Sequence, residues 1–144
     1  RAARLKKLLV AAIRRGRDTQ RKSDLASIKT ALEVYHVDNG TFPVATNACA
    51  SATGGVLQQF LVPNSIGVIP HDPRDPTGQC SGVLGYRYSA DATNNFVLYT
   101  NLEYDNDTVT LLGITTCSNI ANKGNGVVGT TSTTDPRCFR VTND

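Results

Sequence analysis

The residues that could do chemistry are few and widely spaced. Four cysteines, Cys49, Cys80, Cys117 and Cys138, stand far apart, and no two form a C-x-x-C pair. That spacing argues against a zinc site. An even count in loop-like surroundings points instead to two disulfides, and hence to an oxidising compartment or the cell exterior. Three pairings are open on the count alone. His36 and His71 are the only imidazoles. The first follows Tyr35 near a helix end, and the second lies in the turn sequence Pro70-His71-Asp72-Pro73. No Ser or Cys has neighbours that mark a nucleophile, so no enzyme is expected. Glu103, Asp105 and Asp107 cluster as calcium-type oxygen ligands, but neither the Gly nor the terminal Glu of an EF-hand loop follows. A solvated turn is the expectation there, and no metal or cofactor is expected. Gly124 to Gly129 matches G-x-G-x-x-G. That pattern holds a phosphate only between a strand and a helix. The Thr/Ser run and the Asp135-Pro136 that follow read as a surface loop.

The elements that would position these residues begin with a helix. Leu25, Ile28, Leu32 and Tyr35 recur at helical spacing and form the candidate core face, with Ala31 and Val34 alongside. Arg17, Arg21, Lys22, Lys29 and Glu33 are assigned to the wet side. Asn39-Gly40 stops the helix, since both residues tolerate the left-handed conformation of a C-cap. A helix over 18–38 is roughly 30 Å long. Strand candidates follow at Val83–Ala90, Asn95–Leu102 and Thr108–Ile114, with Cys138–Val141 as a short last strand. Asp91-Ala92-Thr93-Asn94 and Asp105-Asn106-Asp107 read as hairpin turns. Val56–Leu61 reads as one or two helical turns.

The class is therefore α+β, with one long N-terminal helix packed on an antiparallel sheet of three to four strands. One domain is expected over 1–144. It divides into a basic helical lead (1–16), the long helix (17–40), a connecting loop (41–82), the sheet (83–115) and a disulfide-closed C-terminal loop (116–144). The pairing expected from this layout is Cys49–Cys80 and Cys117–Cys138. The first pins the long connection against the sheet; the second closes a Thr/Ser/Asn/Gly-rich loop with little to bury. The alternative is a bond from each loop to the other.

Charge divides the chain. Residues 1–17 hold seven of the fifteen Lys and Arg and no acid, so 18–144 keeps eight bases against all twelve acids and sums to −4. That balance argues against a nucleic-acid-binding body. Leu5, Leu8, Leu9, Ala12 and Ile13 form a second apolar stripe among the basic residues. Such a segment suits an anionic membrane surface, and equally a solvated extension of the helix. Its apolar run, Leu8 to Ile13, is far short of the roughly 20 residues a spanning helix needs. The chain by itself is expected to be soluble and monomeric.

Arg17 through Ile28, Leu32 and Tyr35 to Asp38-Asn39-Gly40-Thr41-Phe42-Pro43 resembles bacterial type IV pilins and the major pseudopilins of type II secretion. Pro70-x-Asp72-Pro73, Tyr86-Arg87-Tyr88, Phe96-Val97-Leu98 and Leu102-Glu103 resemble the same families' later motifs, so the likeness spans roughly 17–104. The resemblance implies a homo-oligomeric fibre at the cell surface, held in the inner membrane before assembly. It also implies trimming by a prepilin peptidase, an ATPase-driven assembly machine, and roles in adhesion, motility or DNA uptake. A late disulfide loop resembles pilins, whereas pseudopilins carry a late acidic calcium loop. A pseudopilin or a minor pilin acting as a binding module are the alternatives. The family's apolar helix half, through which it meets the membrane, has no counterpart in residues 1–16.

Overall fold

The computed structural model describes residues 2–80, 85–103, 130–131 and 138–143. Helix α1 (Ala2–Asn39) runs unbroken through both segments that the charge pattern separated. At 1.5 Å per residue its 38 residues span roughly 57 Å. Its end follows the expected cap. Gly40 has φ +80 and its amide donates to the His36 carbonyl at 2.7 Å, while the Asn39 amide donates to the Tyr35 carbonyl at 2.9 Å.

Five strands form one sheet: β1 (Ala45–Cys49), β2 (Arg87–Ala90), β3 (Phe96–Asn101), β4 (Thr130–Thr131) and β5 (Cys138–Thr142). Their order is β1-β2-β3-β5-β4, and all described pairings are antiparallel. The β2–β3 hairpin matches Tyr88 with Leu98 and Ala90 with Phe96. Asn94 supplies the positive φ (68°) its turn requires. A short helix, α2 (Val56–Leu61), lies in the connection.

The core forms where α1 crosses the sheet. Leu25, Ile28 and Leu32 are fully buried against Tyr86, Tyr88, Phe96, Leu98, Phe139 and Val141, and Tyr35 packs at the margin, half-buried. Phe42, of the turn after α1, meets Phe96 edge-on with ring centres 4.9 Å apart.

Four expectations are corrected. Val34, read alongside the core face, is 41% exposed on the outer side of α1. The connection over 41–82 is not all loop: Ala45–Cys49 forms an edge strand on β2, with a register shift between Ala45 and Ala48. Thr46 and Asn47 are exposed there, so the segment lacks the alternation by which strands are read. Of the strand expected over Val83–Ala90, Arg87–Ala90 is extended while Gly85 and Tyr86 are not, and Val83 and Leu84 lie outside the described residues. Arg21 is not on the wet side; it is among the most buried side chains described. The strand expected over Thr108–Ile114, the turn over 105–107 and the Gly124–Gly129 loop lie outside the described residues.

Candidate functional site: a buried ion cluster and the outer face of the long helix

Two features stand out, one inside the molecule and one on its surface. The inner one is built on three arginines. Arg21 places its guanidinium 1% exposed between the helix, the connection and the end of β3. Its Nε and Nη2 donate to the two Asp72 oxygens at 2.7 and 3.0 Å. Its Nη1 donates to Asp18 Oδ1 at 2.7 Å and lies 2.8 Å from Glu103 Oε2. Arg17 forks onto both oxygens of Glu103, its Nη2 donating at 2.7 Å. The exposed Arg74 reaches Glu103 Oε1 at 3.3 Å. Backbone amides complete the carboxylates: Glu103 N–H donates to Asp18 at 2.8 Å, and Arg74 N–H to Asp72 at 2.8 Å.

Three positive and three negative groups thus neutralise one another, which is the condition for burying them at tolerable cost. The arginine hydrogen bonds, that from Arg17 foremost, hold the Glu103 carboxyl down at about 2 against a partial opposing effect of burial. For Arg21, burial alone disfavours the charge, but hydrogen bonds to Asp72, Glu103 and Asp18 outweigh it and leave the guanidinium above its ordinary value. Beside the cluster, the Tyr86 hydroxyl donates to Asp24 Oδ2 at 2.6 Å while Gln20 donates to Oδ1 at 2.7 Å. Burial, then the Asp24 bond, pushes the Tyr86 phenol up.

The arrangement is a tether. It joins α1, the Pro70–Pro73 turn and the second residue after β3, and its carboxylates are satisfied by arginines. Glu103, a weak calcium candidate by sequence, has both oxygens held by arginines; Asp105 and Asp107 lie outside the described residues. Among the described residues, no group of three His, Cys, Asp or Glu could hold a metal ion. His36 stacks on Phe42 with ring centres 4.5 Å apart, and His71 turns toward the Asp72 carbonyl, so the two imidazoles are not brought together.

Cys49 and Cys80 form a disulfide with Cα atoms 5.8 Å apart. It fastens the end of β1 to the end of the connection. A Cβ at Gly85 would stand 2.5 Å from Cys80 Sγ, and its φ of +99 also favours glycine. Cys117 and the side chain of Cys138 lie outside what is described.

The cluster was missed because hydropathy places arginine outside. Spacing carried the signal: Arg21 lies four residues before Leu25 and seven before Ile28, on the same helix face.

The second feature is the opposite face of α1. At about 100° per residue, the stripe Leu5, Leu8, Leu9, Ala12 and Ile13 lies roughly 150° from the Leu25–Ile28–Leu32 face. Its sector continues through Gly16, Thr19, Gln20, Ser23, Ser27, Thr30, Val34 and Val37. All of these are exposed, and between Leu5 and Val37 no charged residue falls in the sector. Residues 2–16 are exposed apart from half-buried Ala11, and burial begins at Arg17 and Asp18. Among the described residues no helix is long and apolar enough to cross a membrane.

Fold and site together define an α+β protein with a long helix packed on its sheet, ion-paired to the connection and to the segment after β3, and with a charge-free outer helix face. No family model, curated protein or solved structure matches the chain.

Proposed function

We propose that this chain is a structural subunit of a type IV pilus-like extracellular fibre, a pilin and not an enzyme. The observation that carries the reading is the outer face of α1 in its body segment. Ser23, Ser27, Val34 and Val37 present small or apolar exposed groups, opposite a face locked to the sheet. A helix with one face satisfied and the other uncharged is suited to close packing against helices of neighbouring copies. The buried arginine cluster supports the same reading, because it makes helix and head one stiff unit through which tension can pass. The sequence likeness supports it too: Asp72 and Glu103, of its P-x-D-P and L-E motifs, are ligands of Arg21.

The fibre would be homo-oligomeric, built by assembly machinery after peptidase trimming, and displayed at the cell surface. In cells producing the full-length protein, it is expected in the fraction released by shearing. A photo-crosslinker at position 27 is expected to join copy to copy there. Retention of all the protein in the cell body, or crosslinks only to unrelated proteins, would overturn the reading.

A further inference from the structure

Residues 2–16 form a helical arm whose two faces differ in chemistry. Leu5, Leu8, Leu9 and Ile13 are 60%, 57%, 57% and 54% exposed on one side. Arg4 and Arg15 border that stripe on one flank and Lys6 on the other, while Lys7 and Arg14 top the opposite face. No acid occurs before Asp18. We propose that this arm is a binding site for an anionic lipid bilayer surface, on which it lies in the plane of the headgroups.

The occupant follows from charge and from the kind of apolar surface. A second copy of the arm would bring like charges together with no acid to offset them. A nucleic acid would satisfy the cations but leave four aliphatic side chains idle, and the arm has no aromatic ring for base stacking. An anionic bilayer uses both features: the leucines enter the acyl boundary, and long Lys and Arg stems reach back to phosphate oxygens. Its charges leave no stretch of the described helix apolar enough to span. Its apolar stripe lies on the side of α1 turned away from the sheet. The helix can therefore lie flat with the head directed off the membrane. The proposal does not rest on the fibre reading, which concerns contacts of the body segment.

The test is flotation of the full chain with vesicles of phosphatidylcholine alone or mixed with phosphatidylglycerol. Binding to the mixed vesicles only, weakening as salt rises, is expected. Arg4→Gln with Lys6→Gln should weaken it roughly 30-fold, and Leu8→Gln with Leu9→Gln more than about tenfold. Thermal melting of both variants should match the parent, since the arm lies outside the buried body. Equal binding to phosphatidylcholine, or binding untouched by either pair, would overturn the proposal. So would duplex DNA or RNA binding tighter than vesicle binding, or self-association through the leucines without vesicle binding.

Discussion

The two halves of α1 have the same backbone and opposite circumstances. From Asp18 to Asn39 the helix is held by a sheet, an arginine cluster and three fully buried aliphatic side chains. From Ala2 to Gly16 its residues are exposed apart from half-buried Ala11. Helix propensity and continuity from the anchored half maintain the arm, because extending a formed helix avoids the cost of nucleation. For stability, a charged residue, Arg21, is among the most constrained in the anchored half, whereas the charged residues of the arm are replaceable. Composition therefore does not tell which charge matters. Burial does.

Paired substitutions break or sharpen this contrast. Arg21→Ala leaves Asp72, Asp18 and Glu103 short of their shared donor. It should cost about 3–5 kcal/mol in urea denaturation, while Arg14→Ala in the arm should fall within about 0.5 kcal/mol of the parent. Equal effects would mean that the cluster does not anchor the helix. Leu32→Ala should cost about 2–5 kcal/mol through lost burial and a cavity, and Leu8→Ala almost nothing. Replacing both Cys49 and Cys80 by Ala should cost about 2–4 kcal/mol. A non-reducing peptide map of the parent should recover the two as one fragment, and a Cys49 peptide joined to Cys117 or Cys138 would contradict it.

Acid probes the cluster more gently. The Glu103 carboxyl lies near 2 in the folded chain against an ordinary 4.5. A lowered folded value contributes stability that is complete above about 4.5 and is lost as pH falls toward 2. After screening of this partly exposed group, the loss should be on the order of 1 kcal/mol. Glu103→Gln should flatten that part of the stability profile, and an unchanged acid limb would show that other carboxylates dominate it. The smallest effect concerns the junction. Nothing lies within 4 Å of a Cβ built on Gly16, so Gly16→Ala should strengthen the helix by about 0.5–1 kcal/mol, seen as higher helicity by circular dichroism on warming.

The sequence by itself determined the local features. Leu25, Ile28 and Leu32 lie on the buried face because an apolar period of 3.6 admits one solution. Gly40 ends the helix because few other residues accept its φ of +80. The hairpin after Ala90 follows from its turn residues, whereas the Cys49–Cys80 bond was one of three open pairings until the fold brought the two loop ends together. Tertiary structure alone decided the rest. Arg21 meets Asp72 and Glu103 across separations of 51 and 82 residues, and no local pattern encodes such a meeting. Ala45–Cys49 becomes a strand because β2 presents an unpaired edge to a half-exposed segment, not because its residues alternate. An ion pair and an edge strand both depend on a partner delivered from elsewhere in the chain. A helix stripe and a cap carry their own instructions.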